Sequence, residues 1–217
     1  MRASLTSGTP VEIVQPESGP ATRGLVIAPD IMGLRPLFDA MVERLASEEG
    51  WAVVAVEPFP GRETAPLEAR FGPQDDARYL TDLVEAADLL EVEPVGILGF
   101  CMGGMYVHKA AGTGRFDRGV SFYGMIHTPE RWRSETTVEP LDELAKPGAA
   151  RVLAVIGGAD DYTPPAEVAE LERVPNVEVV TYPEAGHGFV HDPDRPAHRP
   201  ADAADAWTRA LTFLRPT

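Results

Sequence analysis

Pro94-Val-Gly-Ile-Leu-Gly-Phe-Cys-Met-Gly-Gly-Met-Tyr-Val-His-Lys-Ala-Ala111 is the stretch around which the chain is organised. Its apolar run, Val95 to Phe100, reads as a buried strand, and a helix-forming segment follows Cys101. Between them lies Gly99-Phe-Cys-Met-Gly103, the layout of a nucleophile elbow with cysteine where serine is usual. The glycines have a physical reason. A nucleophile at the tip of a sharp strand-to-helix turn holds a strained backbone, and strand and helix nearly touch two residues to either side. The N-terminus of the following helix points at the sulfur and leaves the Met102 N–H free to donate to an oxyanion. A lone cysteine is more often a small buried hydrophobe; the glycine spacing argues against that reading here.

Working outward, Gly24–Ala28, Trp51–Val56, Gly119–Tyr123, Arg151–Ile156 and Val177–Tyr182 read as further strands, with Val11–Val14 as a short first one. Helical spacing spans Pro36–Glu49, closed by Gly50, and Asp76–Glu91, where Leu80, Leu83, Val84, Ala87 and Leu90 share a face. Pro165–Glu172 and Ala201–Leu214 are the remaining helices, the last expected to turn Ala204, Trp207, Leu211 and Leu214 inward. Residues 61–76 lack a clear period and read as a loop on the active-site side with room for a short helix, and 127–149 read as the longest irregular segment. Strands alternating with helices imply right-handed crossovers, hence an α/β fold: a mostly parallel central sheet with helices on both faces. Functional groups then belong at the C-terminal ends of strands. Asp30, Glu57, Cys101, Tyr123, Asp160 and His187 all fall there.

The 217 residues suffice for a single domain, 1–217, with a sizeable core. A net charge of −15 argues against nucleic acid and anionic membrane surfaces as partners, and requires local positive charge wherever an anionic substrate would bind. No apolar run is long enough to span a bilayer, and Met1–Pro10 has one basic residue but no apolar signal core. One cysteine rules out an intramolecular disulfide, in keeping with a cytoplasmic setting. The histidines lack metal-ligand spacing and the glycine-rich segments lack a phosphate-cradle pattern, so neither a metal nor any other cofactor is expected. Oligomeric state is not encoded in any pattern here.

A cysteine nucleophile needs a base, and the base a carboxylate to fix its tautomer. The chain offers Cys101, Asp160 and His187 in the order nucleophile–acid–histidine, with Asp161 as the competing acid. His187 lies in a Gly-His-Gly loop, while His108, His127, His191 and His198 read as solvated, His191 being near enough to line a pocket. The second oxyanion donor is expected from the loop after Gly24–Ala28, with the Ile31 N–H as candidate.

Four ordered motifs, Ala-Pro-Asp-Ile-Met-Gly at 28–33, Gly-Phe-Cys-Met-Gly-Gly at 99–104, Gly-Gly-Ala-Asp-Asp-Tyr-Thr-Pro at 157–164 and Ala-Gly-His-Gly-Phe at 185–189, together resemble the dienelactone hydrolase family, carboxymethylenebutenolidase-like, from about Gly24 to Phe213. The resemblance implies an α/β-hydrolase fold without a large lid domain. It also implies hydrolysis of a small-molecule lactone or activated ester by a Cys101–His187–Asp160 triad through a thioester. In that family a carboxylate after the second core strand pairs with the resting thiol. Asp30 holds that place here, where the dienelactone-cleaving member has glutamate. Family arginines hold a substrate carboxylate, one of them four residues after the histidine, where this chain has His191; Arg35, Arg62, Arg70 and Arg78 are candidates to take over. Asp30, Tyr123 and His191 are thus the expected thiol-gating and substrate-binding set. The rivals are a class I glutamine amidotransferase, disfavoured because Gly188 and Phe189 follow His187 in place of His-x-Glu, a redox-sensing cysteine without a resolving partner, and a non-catalytic small-molecule-binding protein of the same fold.

Overall fold

The computed structural model describes residues 1–215. In chain order its strands are β1 (Arg2–Ser4), β2 (Pro10–Val14), β3 (Gly24–Ala28), β4 (Ala52–Val56), β5 (Val95–Phe100), β6 (Arg118–Phe122), β7 (Arg151–Gly157) and β8 (Val177–Tyr182). The main helices are α1 (Pro36–Glu49), α2 (Asp76–Asp88), α3 (Met102–Ala111), α4 (Pro140–Leu144), α5 (Pro165–Leu171) and α6 (Pro200–Leu214). The strands form one sheet in the order β1-β2-β4-β3-β5-β6-β7-β8, parallel from β4 to β8. The first two strands run antiparallel at one edge.

Every residue of β3, β4 and β5 is buried, which is why each reads as an unbroken apolar run. Alternate residues serve opposite faces. Val26, Val54 and Ile97 join α2 and α3 in one core layer, while Leu25, Val53 and Leu98 join α1 and α6 in the other. Each such buried aliphatic side chain contributes about 1.5–3 kcal/mol. α1 begins at Pro36 and stops where Gly50 takes the left-handed conformation at φ 67°, as its sequence requires.

Three details differ from the sequence reading. The edge strand β1 was not expected, because three residues with exposed ends carry no apolar pattern. A 3₁₀ turn at Glu130–Trp132 and α4 lie inside the segment read as irregular. The inward stripe of α6 is Ala203, Ala206, Ala210 and Leu214, with Trp207 and Leu211 half-buried on its flank. Small side chains let the helix lie close on the sheet, so the larger ones move aside.

A buried polar node fixes the segment that later walls the site. Asp76, at the start of α2, accepts from the Lys109 ammonium at 2.7 Å, the Tyr106 hydroxyl at 2.7 Å and the Val138 N–H at 2.9 Å. Lys109 and Asp76 are both buried, and a buried pair holds only if its remaining hydrogen-bonding capacity is met in this way. The Gln74 N–H binds the Trp132 carbonyl at 2.9 Å, so the loop before α2 and the segment after Pro129 are tied together.

Candidate active site

Cys101 sits between β5 and α3 with φ 56° and ψ −116°, a conformation that costs a non-glycine residue about 1–3 kcal/mol. The fold holds it there. Its N–H binds the Phe122 carbonyl at 3.0 Å and its carbonyl accepts from the Met105 N–H at 3.0 Å. A Cβ on Gly99 would lie 2.2 Å from the Gly103 carbonyl oxygen, and one on Gly103 would lie 1.9 Å from that of Ala28. The elbow therefore closes only with glycine at both places. The half-buried sulfur faces a cavity of about 120 Å³, room for several waters or a small organic molecule.

His187 reaches the same cavity from the loop after β8. Its Nδ1 bonds Asp160 Oδ2 at 2.8 Å, and Asp160 Oδ1 accepts from the Tyr162 N–H at 2.9 Å. Asp160 is buried and Asp161 exposed, which decides between the two candidate acids. His187 Nε2 is buried without a hydrogen-bond partner. Burial opposes charge on this ring, but the Asp160 hydrogen bond and the nearby Cys101 outweigh it and raise its pKa to about 9.

Ile31 lines the cavity beside Cys101, and among the described residues neither its N–H nor that of Met102 donates to a backbone carbonyl in a loop or turn. The Ile31 loop is fixed on three sides. Glu57 accepts from the Leu34 N–H at 2.8 Å, Arg70 donates to the Met32 carbonyl at 2.6 Å, and the Met32 N–H binds Asp30 Oδ1 at 2.9 Å.

Asp30 is engaged differently from the expected thiol-gating contact. It pairs with Arg35 at 2.6 and 3.1 Å, accepts from His191 Nε2 at 2.9 Å, and has Arg195 at 3.5 Å; none of its hydrogen bonds goes to the Cys101 sulfur. Burial disfavours its charge, yet the hydrogen bonds from His191 and Arg35 hold its carboxyl well below the usual range. His191 is buried rather than solvated, with Nδ1 on the Tyr123 hydroxyl and its ring stacked on Phe100 at 4.5 Å. Tyr123 is buried at φ 41°, its ring edge-on to that of His187 with centroids 5.2 Å apart. His108 is likewise buried, and burial, opposed only in part by the Met125 backbone, pushes its pKa down to about 4.

The four candidate arginines are engaged elsewhere. Arg35 is spent on Asp30, Arg70 on carbonyls of two loops, and Arg78 on Asp82 and the Pro58 carbonyl, while Arg62 stacks on Phe59. The cations lining the cavity are Arg131 and Arg195. Arg131 lies over Phe71 at 4.6 Å and Trp132 at 5.8 Å and has no carboxylate partner among the described residues. Its segment is aperiodic, so no sequence pattern could aim it. Phe71, Met125, Pro129 and Trp132 give the cavity an apolar wall, and at the rim the Tyr162 ring lies 4.7 Å from that of His187, centroid to centroid, tilted by 55°. Among the described residues no group of three or more His, Cys, Asp or Glu side chains is arranged to hold a metal ion, and no helix is long and apolar enough to cross a membrane.

The profile of the dienelactone hydrolase family matches residues 10–217. The chain belongs to that family. It is therefore a dienelactone hydrolase-like hydrolase on an α/β-hydrolase fold, with a small molecule as substrate. Carboxymethylenebutenolidase of Rhodococcus opacus is 28% identical over 210 residues, covering 88% of this chain and 79% of that one. A Bradyrhizobium protein named for 2-oxo-3-(5-oxofuran-2-ylidene)propanoate lactonase activity is 34% identical over 152 residues, 65% of this chain and 60% of its own length. The crystal structure of a Klebsiella pneumoniae protein named for dienelactone hydrolase superposes with a TM-score of 0.86 at 23% identity, covering 98% of this chain and 96% of that one.

Proposed function

We propose that the protein hydrolyses lactones or activated carboxylic esters bearing a negative charge, with Cys101 as nucleophile, His187 as its proton partner and Asp160 as orienter. The observation that carries this is the meeting, in one cavity, of the elbow sulfur with an Asp160-bound imidazole whose other nitrogen is unpartnered.

The raised pKa of His187 shapes the mechanism. A ring that keeps its proton to about pH 9 is no base toward a neutral thiol. The arrangement is productive when the proton His187 carries is the one Cys101 has given up, that is, as a thiolate–imidazolium pair. The thiolate attacks the carbonyl, and the Ile31 and Met102 N–H groups receive the oxyanion, about 3–4 kcal/mol of stabilisation per donor. Collapse breaks the ester C–O bond, and His187 hands its proton to the departing oxygen. The resulting thioester carries no sulfur charge, so the influence of Cys101 that helped raise the His187 pKa disappears. The ring is then neutral when it must take a proton from water. Water attack releases the acid, regenerates the thiolate and returns the proton to His187.

For a lactone whose leaving oxygen needs a proton, kcat/KM is expected to fall above about pH 9, as the imidazolium is lost. Asp160→Asn removes a cause of the raised pKa, so this alkaline limb moves to lower pH. A limb that stays in place in the variant speaks against His187 as proton partner.

Charge selectivity rests on Arg131, an unneutralised guanidinium at the mouth of an otherwise apolar cavity in a chain of net charge −15. Side-by-side hydrolysis of a carboxylate-bearing dienelactone and of neutral 4-nitrophenyl acetate tests the proposal. Arg131→Leu is expected to raise KM for the dienelactone about tenfold, the low end for a hydrogen bond to a charged group, and to leave the neutral ester unchanged. Equal effects on both substrates refute a charge-reading role, and failure of the wild type to cleave either refutes the proposed reaction.

A further inference from the structure

Two aspartate–histidine pairs flank Cys101, and the reaction above uses one of them. In the other, Asp30 Oδ2 lies 2.9 Å from His191 Nε2 while His191 Nδ1 meets the Tyr123 hydroxyl. The proton positions follow from chemistry. An ionised carboxylate only accepts, so His191 Nε2 carries a hydrogen. The ring packs beside Phe100, centroids 4.5 Å apart, and Phe38, 6.0 Å away, in a three-ring cluster, and burial pushes its pKa down. It is therefore neutral, Nδ1 is an acceptor, and the Tyr123 hydroxyl proton is committed to it.

That commitment ties down the residue against which His187 leans. The Tyr123 ring meets His187 edge-on at 5.2 Å and 65°. Its backbone is equally bound, the N–H donating to Val155 at 2.7 Å, and the preceding carbonyl, that of Phe122, receives the Cys101 N–H. His187 itself stands on a loop continued by Gly188 at φ 81°. Besides Asp160 at Nδ1, its ring has, among the described residues, only Tyr123 and the exposed Tyr162 for aromatic neighbours.

We propose that His191 is a positioning residue which, by holding the Tyr123 hydroxyl, sets the ring of His187 toward Cys101. Asp30 orients His191 in turn, a role distinct from gating the thiol. The inference rests on His187 acting as proton partner, and it predicts a loss in kcat with substrate binding untouched.

The test is a series of variants assayed on a neutral ester, with thermal midpoints recorded to confirm folding. Tyr123→Phe and His191→Phe, which keep ring shape, are each expected to lower kcat about tenfold, within the range that sub-ångström to ångström misplacement produces, with KM changed less than twofold. The double variant is expected to be no worse than the poorer single one, because both break the same link. His191→Asn places an acceptor near the Nδ1 position and is expected to recover most of kcat, whereas His191→Gln extends toward Asp30 and is expected to behave like His191→Phe. Recovery by Gln as good as that by Asn, losses that multiply in the double variant, or single variants with wild-type kcat would each overturn the proposal. Failure of the underlying triad reading is separately visible as ester hydrolysis that survives Cys101→Ala.

Discussion

Cys101→Ala is expected to lower kcat/KM on 4-nitrophenyl acetate and on a lactone by about 10⁴-fold or more, the scale on which losing the nucleophile of a coupled triad is felt. The change should be visible in catalysis alone. Alanine fits the space of cysteine, and the strained turn at φ 56° is held by backbone hydrogen bonds to Phe122 and Met105 that it leaves intact. A thermal midpoint within a few degrees of wild type, together with lost turnover, isolates the sulfur as the agent. Cys101→Ser sharpens the result. It restores a nucleophile of similar size, but a hydroxyl does not give up its proton to form the ion pair, and it is expected to remain at least about a hundredfold below wild type. Retention of more than a tenth of wild-type kcat/KM by Cys101→Ala would end the case for a cysteine mechanism and move the non-catalytic binding reading forward.

Gly103→Ala is expected to have the largest effect on stability of any single methyl added to the chain. The new Cβ would stand 1.9 Å from the Ala28 carbonyl oxygen and 2.6 Å from that of Pro29. Both are backbone atoms at the end of a fully buried central strand, so no rotamer change relieves the clash. α3 would have to retreat from β3 by more than an ångström, opening the core layer that Met102, Met105 and Val107 fill. Overpacking a core commonly costs about 1–3 kcal/mol, and a backbone collision that spreads into a cavity belongs at or beyond the upper end, about 4–5 kcal/mol. Gly72→Ala is the control, since nothing lies within 4 Å of its Cβ position. Chemical denaturation should show the first variant unfolding at far lower denaturant, or not accumulating as folded protein, and the second near wild type. A Gly103→Ala protein as stable as Gly72→Ala would mean that α3 does not pack on β3 as described.

The contrast between these two residues and the arginines shows how far sequence reading carries. Gly99, Cys101 and Gly103 announce themselves because the constraint among them is local: strand, turn and helix are consecutive, and steric exclusion acts over a few bonds. β3, β4 and β5 are legible for a similar reason, since burial on both faces demands apolar residues without interruption. The order of Cys101, Asp160 and His187 is legible because each ends a strand, and strand ends collect on one side of a parallel sheet. Arg131 had no such signal. Its place depends on a 3₁₀ turn in an aperiodic segment, on the Asp76 node that fixes that segment, and on the aromatic faces of Phe71 and Trp132.

The sequence alone thus determined the layered α/β architecture, the glycine-closed elbow, the candidate nucleophile with its acid and base, and the hydrolase family, because periodicity, glycine spacing and motif order are properties of neighbouring residues. Only the tertiary structure decided that Asp160 rather than Asp161 holds His187, that Asp30 binds Arg35 and His191 instead of the sulfur, and that Arg131 and Arg195 face the cavity. These outcomes turn on partners as far apart in the chain as Asp30 and His191, 161 residues, competing for the same few charges. An arginine reaches whichever carboxylate or carbonyl the folded backbone presents first, and that choice exists only once the chain has closed around it.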